Sequence, residues 1–167
     1  MPSLDDQLAE FHKLLQDKVS LFDALMHITE TLKKALSAER ASLLIYDRDN
    51  EQLWSVVDEQ QEKIVVPYDQ GIVGATLRTG RVQLENEPYD NPNFFSEVDM
   101  QLGFYTQSIL AAPLFDDQQN IIGVIELLNK PGGFTKDDKN FVYALTHALS
   151  KHITLAQKST LQTDQTT

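Results

Sequence analysis

The sequence predicts an α/β (α+β) fold in which amphipathic helices cover a β-sheet. The first observation is the run Ile121–Leu128, which is short, β-branched and apolar, as expected of a buried central strand. The second is the turn at Pro131, Gly132 and Gly133, which ends that strand. The third is the amphipathic helix predicted after Thr135, which has the spacing needed to cover the sheet. A strand, a turn and a covering helix in this order make a layered domain.

Length and composition indicate a soluble globular protein of one ordinary domain. The chain has 167 residues, of which 41% are hydrophobic and 23% charged, and its formal net charge is −11. It shows no basic cluster, so we expect neither nucleic acid nor an anionic membrane as a partner. The start of the chain lacks the basic and apolar regions of a signal peptide, and we expect a cytoplasmic protein.

Two helices are predicted before the first strand. In residues 3–18 the apolar side chains form one narrow face, which can pack on the domain or on the same helix of a second copy. These side chains are Leu4, Leu8, Phe11 and Leu15. Ser20, with Asp23 three residues later, predicts the start of the second helix. We therefore expect an N-terminal helix with a possible dimerisation role (1–19), a main domain (20–157) and a polar tail or linker (158–167).

The rest of the predicted sheet is read from short apolar runs bounded by turn residues. These runs are residues 41–47, 52–57, 63–67, 81–85 and 108–114. Between them, a helix is predicted over residues 71–80, with Gly71 and Gly74 near its start. Its first N–H groups are able to hold an anion, but tight packing on the sheet explains the glycines equally well.

Glu126 is a carboxylate in the middle of the predicted central strand. A carboxylate at such a position is costly to desolvate unless it is paired or bound. It therefore indicates either a small-molecule pocket over the sheet or a sheet that only packs, with Glu126 satisfied by a neighbouring side chain. Both readings remain open at this point.

Several kinds of chemistry are excluded or unsupported. The chain has no cysteine, which excludes disulfides, thiol catalysis, thiolate metal sites and thioether-linked chromophores. We find no nucleophile–base motif, no phosphate-binding loop and no metal-ligand spacing. We therefore expect a binding domain rather than an enzyme, with no metal and no resident cofactor.

The residues from about 20 to 155 resemble a GAF domain, the sensory module of cyclic-nucleotide phosphodiesterases, adenylyl cyclases and many bacterial regulators. The segments ASLLIYD, GIVGATLRTG, ENEPYDNPNFFSEVD, SILAAPLFD and IIGVIELLNK carry the resemblance. The resemblance implies a central antiparallel sheet of about six strands, with helices on both faces and the first and last helices together. It also implies a homodimer through these terminal helices.

The end of the chain is similar to the signature of the cyclic-nucleotide-binding subset of this family. Asn129, Lys130, Phe134 and Asp138 match that signature, and Lys139 stands where it has Glu. In known relatives this motif is structural and lies away from the ligand.

Carried onto this sequence, the resemblance also implies a set of ligand-binding positions. Ser42 and Asp58 would face the base, and Ile72 and Val73 would offer backbone N–H groups to the phosphate. The remaining positions would be Asn86, Asp99, Thr106 and Glu126. Two positions depart from the pattern, because Val57 stands in place of an aromatic residue and Leu102 in place of a Thr.

Two functions follow from the resemblance. The first is binding of a cyclic nucleotide, with cyclic AMP as the first expectation and cyclic GMP as the second. The second is a dimerisation or signalling module with another ligand or none. The methionine-sulfoxide reductases and covalent bilin proteins of this family use cysteine, which this chain lacks. Haem is not expected either, because all four histidines lie in predicted helices outside the pocket.

Overall fold

The computed structural model describes residues 3–56, 63–90, 92, 106–154 and 161. Within these residues, six strands form one antiparallel sheet in the order β3-β2-β1-β6-β5-β4. The strands are β1 (Arg40–Asp47), β2 (Gln52–Val56), β3 (Lys63–Pro67), β4 (Gln83–Glu85), β5 (Ile109–Phe115) and β6 (Ile121–Leu128). The predicted α/β class and antiparallel sheet are therefore confirmed.

Four α-helices accompany the sheet in the described part of the chain: α1 (Leu4–Gln16), α2 (Leu21–Ala35), α3 (Gly71–Thr79) and α4 (Lys136–Leu149). Two short 3-10 turns, Pro88–Asp90 and Ser150–His152, complete the regular structure. Helix α4 ends earlier than the sequence predicts, since its pattern extends to about residue 157 and the structure changes to the 3-10 turn at Ser150.

The two faces of the sheet are buried by different helices. Side chains alternate between the faces along each strand, so Leu43 and Ile125 pack with α2 and α4 in one core cluster. Leu44 and Val124 point to the other face and pack with α3 in a second cluster. We call this second side the α3 face.

Strand β6 has the central position that its apolar sequence predicts. It pairs with β1 on one side and with β5 on the other. At Gly123 the neighbouring strand comes so close that a Cβ atom would clash with the Leu44 carbonyl oxygen. Glycine is therefore required where β1 and β6 meet.

Helix α1 packs on its own domain. Phe11 is fully buried, while Leu4, Leu8 and Leu15 are half-buried against the cluster that α2 and α4 share. The helix contacts both α2 and α4. The apolar stripe of α1 therefore packs within the chain, and its dimerisation role stays a prediction.

Candidate functional site

Glu126 lies on the α3 face of the sheet. The register places it between Ser42 of β1 and Ala111 of β5, so these three side chains form one row across the central strands. Ser42 and Glu126 are half-buried, and Glu126 already has an interaction partner within the protein. A hydroxyl and a carboxylate thus lie side by side on a face that is otherwise lined by apolar residues.

The first turn of α3 packs over this face. Ile72 is 3% exposed and Val73 7% exposed, and both belong to the α3-face cluster. The residue before the helix, Gln70, makes no side-chain hydrogen bond to the first turn. The first N–H groups of a helix have no intrahelical acceptors. The start of α3 is therefore suited to an anionic group.

Thr106 supplies a buried hydroxyl shortly before β5. The residue is 1% exposed, and its Oγ1 finds no hydrogen-bond partner among the described residues. Buried hydroxyls in folded proteins are normally hydrogen-bonded, and leaving one unsatisfied costs free energy. A polar group that forms a hydrogen bond with this hydroxyl would remove this cost.

Asn86 has a different kind of contact from the one that the resemblance implies. Its Nδ2 donates to the carbonyl oxygen of Phe134 at 3.0 Å, and its Oδ1 accepts from the N–H of Phe134 at 2.9 Å. The side chain thus fastens the end of β4 to the segment that precedes α4. Four other predicted positions, Val57, Asp58, Asp99 and Leu102, lie outside the described residues.

The signature residues form a network at the end of β6. The backbone of Asn129 is left-handed, with φ of 62°, and the residue is 6% exposed. Its Oδ1 accepts hydrogen bonds from the N–H groups of Gln107, at 2.6 Å, and Ser108, at 3.2 Å. Its own N–H donates to the Ser108 carbonyl oxygen at 2.9 Å. Asn129 therefore fixes the chain immediately after Thr106.

Lys130 and Asp138 connect this network to α4. The Lys130 Nζ lies 2.6 Å from the Asp138 Oδ2, and the Asp138 side chain is only 4% exposed. The same carboxylate accepts from the Thr135 N–H while the Thr135 hydroxyl accepts from the Asp138 N–H, which makes the predicted helix cap a complete capping box. Burial raises the pKa of Asp138, but the Lys130 ammonium and the Thr135 donors outweigh it and hold the pKa below its usual value.

Two residues of this network have no signal in the sequence pattern. The Ser108 hydroxyl accepts from the Lys130 N–H at 3.1 Å, and Glu39 accepts from the Asn129 Nδ2 at 3.5 Å. Both contacts join segments far apart in the chain, so local periodicity contains no information about them. The sequence pattern places Ser108 at the start of a predicted strand, which does not indicate that its hydroxyl binds the backbone of Lys130.

The described residues contain neither a cluster of metal ligands nor a membrane-spanning helix. In the described ranges, no group of three or more His, Asp or Glu side chains is placed to hold a metal ion. No helix there has both the length and the apolar character needed to cross a membrane.

Comparison with known proteins points to one protein family. The model of the GAF domain family matches residues 20–153. A probable 3′,5′-cyclic phosphodiesterase of Caenorhabditis elegans is 28% identical in an alignment of 157 positions, and the match covers 83% of this chain but only 21% of that protein. This chain therefore spans about a fifth of the length of that relative.

Solved structures share the fold at low sequence identity. The GAF domain of a phosphoenolpyruvate-protein phosphotransferase from Coxiella burnetii has a TM-score of 0.75 at 16% identity, with 98% of this chain and 97% of that chain covered. The free methionine-R-sulfoxide reductase of Neisseria meningitidis, solved with its substrate, has a TM-score of 0.67 at 16% identity, with 88% and 86% covered. Such similarity establishes the fold and leaves the ligand open.

Proposed function

Because this chain belongs to the GAF domain family, whose members are small-molecule-binding regulatory modules, we propose that it binds a cyclic nucleotide between α3 and the sheet. The observation that carries the proposal is the row of Ser42 and Glu126 on the α3 face. A half-buried carboxylate on an apolar floor is able to accept hydrogen bonds from the N–H groups of a purine, and the serine hydroxyl is able to donate or accept.

The other parts of the proposed site complement a cyclic phosphate. The N–H groups at Ile72 and Val73 begin a helix without a side-chain cap from Gln70, so they are suited to the phosphate oxygens. The Thr106 hydroxyl offers a further hydrogen bond within the same family pattern. Because the whole chain is acidic, these local donors must supply the attraction.

The similarity to a probable cyclic phosphodiesterase supports the nucleotide as ligand. The signature residues give separate support, since Asn129, Lys130, Phe134 and Asp138 of the cyclic-nucleotide-binding subset are all present. We place cyclic AMP first and cyclic GMP second.

Isothermal titration with cyclic AMP and cyclic GMP at millimolar concentration tests the proposal. We expect saturable heat with one ligand per chain for at least one of them. The linear nucleotide 5′-AMP is the matched control, because it has the same base but a different phosphate geometry and charge. An absence of heat with both cyclic nucleotides, or equal binding of 5′-AMP, would refute the proposal.

The second candidate function is a dimerisation or signalling module that acts with another ligand or with none. Tyr143 favours it, because this aromatic residue of α4 is 50% exposed and stacks on the neighbouring His147 at 5.5 Å. In this arrangement α1 and α4, which contact each other, would form the interface of a homodimer. Light scattering that shows only a monomer at high protein concentration would exclude this interface.

We further propose that the chain acts by binding and not by catalysis. One of its structural neighbours is a methionine-sulfoxide reductase, and the chemistry of that branch of the family depends on cysteine. This chain has no cysteine. Incubation with free methionine sulfoxide and a thiol reductant should therefore produce no methionine above the rate without protein.

A further inference from the structure

A groove of about 320 Å³ lies at the other end of the α3 face from Ser42 and Glu126. Its walls come from β1, from the residue after β3, from the second half of α3 and from the start of β6. Its lining includes Tyr46, Arg48, Tyr68, Leu77, Arg78 and Ile121. Tyr46 is four positions from Ser42 on β1, or about 13 Å along the strand, so the groove is separate from the proposed nucleotide site.

Two arginines lie at this groove. The Arg78 Nη1 donates to the Asp69 carbonyl oxygen at 2.6 Å, which holds the guanidinium in place; among the described residues, its other N–H groups remain available. The guanidinium carbon of Arg48 lies 5.9 Å from the centre of the Tyr46 ring. Arg48 and Arg78 are the charged residues among those that line the groove.

The floor of the groove is apolar and aromatic. Leu77 is 8% exposed, and Ile121 and both tyrosines are half-buried. At the rim, the carboxamides of Gln119 and Asn120 are exposed, and Gln119 has a left-handed backbone with φ of 66°. An apolar floor with a few converging polar groups is the usual composition of a small-molecule site, and the volume is at the lower end of the usual range.

We propose that this groove is a second small-molecule site, which binds an aromatic anion. The ring of the ligand lies on Leu77, Ile121 and the tyrosine rings, and its carboxylate or phosphate accepts hydrogen bonds from the Arg48 and Arg78 guanidiniums. A planar anionic group fits this role best, since a guanidinium binds it through two parallel hydrogen bonds. The groove shares no residue with the proposed nucleotide site, so this second site does not depend on cyclic-nucleotide binding.

The test is a titration of the whole nitrogen-15-labelled chain with 4-hydroxybenzoate, followed by NMR of the backbone amides. We expect saturable shifts confined to residues 46–48, 68–70, 77–78 and 119–121. The uncharged 4-hydroxybenzamide has nearly the same shape and should bind about tenfold more weakly, because it cannot form charge-assisted hydrogen bonds. Shifts that do not saturate, or that centre on Ser42 and Glu126, would overturn the proposal.

Arginine variants give the matched comparison. Arg48→Gln and Arg78→Gln should each weaken 4-hydroxybenzoate binding about tenfold. Arg81→Gln makes the same charge change at an exposed residue outside the groove and should leave the affinity unchanged. Circular dichroism checks that Arg78→Gln, which loses the bond to Asp69, is still folded, and Arg48→Gln tests the site independently. An equal loss in Arg81→Gln, or no loss in Arg48→Gln, would contradict the proposed site.

Discussion

At the scale of single residues, Glu126 is the side chain that most distinguishes the α3 face from a simple packing surface. Its neighbours on the same face of β6, Val124 and Leu128, are buried and apolar. A carboxylate in a central strand is costly to desolvate unless it is paired or bound, and Glu126 has an interaction partner within the protein. In the proposed site, the same carboxylate would also accept a hydrogen bond from the ligand.

We predict that Glu126→Gln weakens cyclic-nucleotide binding about tenfold, because an amide oxygen is a weaker acceptor than a carboxylate. The measurement is isothermal titration with the nucleotide that binds the unchanged chain. Glu30→Gln, on α2 at the opposite face of the sheet, is the control and should bind normally. Equal affinities of the two variants would remove Glu126 from the site.

Asn129 accepts hydrogen bonds and also adopts a left-handed backbone, and substitution by alanine or by glycine separates these two roles. Asn129→Ala loses the acceptor for two backbone N–H groups and also strains a left-handed backbone. Asn129→Gly loses the same acceptor but adopts this conformation easily. We predict that urea unfolding gives a loss of about 2–5 kcal/mol for alanine and about 1 kcal/mol less for glycine. If alanine proved as stable as the unchanged chain, these hydrogen bonds would not support the fold.

The roles of single residues were predicted from the sequence less completely than the helices and strands were. The resemblance led to Ser42, Ile72, Val73 and Glu126 as ligand positions, and the structure brings all four to the same side of the sheet. It did not indicate that Asn86 binds the backbone of Phe134, which is 48 positions away in the chain. Such a contact depends on the completed tertiary structure and leaves no local pattern.

At the scale of the elements, the connection from β6 to α4 is stabilised by a charge whose effect depends on pH. The pKa of Asp138 is lower in the folded chain than its ordinary value, which is about 3.9 in an unfolded chain. As the pH falls, the unfolded chain therefore takes up this proton first. The stabilisation is complete above the unfolded pKa and is lost as the pH falls through the folded pKa.

We predict that the unchanged chain has a larger free energy of unfolding than Asp138→Asn. This difference should be constant from pH 7 to about pH 5 and should shrink below about pH 4. Urea unfolding at several pH values measures this difference. Asp137→Asn is the matched control, because Asp137 is exposed and adjacent on the same helix. The same pH dependence in both variants would show that the Lys130–Asp138 pair is not the cause.

Elements with a strong local pattern were predicted well. The central strand was placed at Ile121–Leu128, and the caps of Ser20 and Thr135 are confirmed by hydrogen bonds from Asp23 and Asp138. Ends without a cap were predicted less well, as the change from α4 to a 3-10 turn at Ser150 demonstrates. Periodicity continues past this point, so the sequence alone did not indicate the end of the helix.

At the scale of the whole molecule, α1 is expected to unfold together with the sheet. Its Phe11 is fully buried in the core cluster that also contains Trp54 of β2. We predict that Phe11→Ala lowers the free energy of unfolding by about 3–5 kcal/mol. Urea unfolding followed by Trp54 fluorescence and by circular dichroism should shift by the same amount, because one cooperative transition includes both.

Lys13→Ala, at an exposed position of the same helix, serves as the control and should change stability little. If Phe11→Ala shifted the circular dichroism transition and left the Trp54 transition unchanged, α1 would be an appendage that melts separately. That outcome would favour the alternative in which the helix is available to a second copy.

The order of the strands also constrains how the chain folds during its synthesis. Leu43 of β1 pairs with Ile125 of β6, 82 positions later in the chain. During synthesis on the ribosome, the β1–β2–β3 meander emerges first and waits with an unpaired hydrophobic edge until β6 leaves the exit tunnel. Closure over so long a stretch is slow compared with the formation of a hairpin. We therefore expect the nascent chain to be most exposed to aggregation in the interval before β6 arrives.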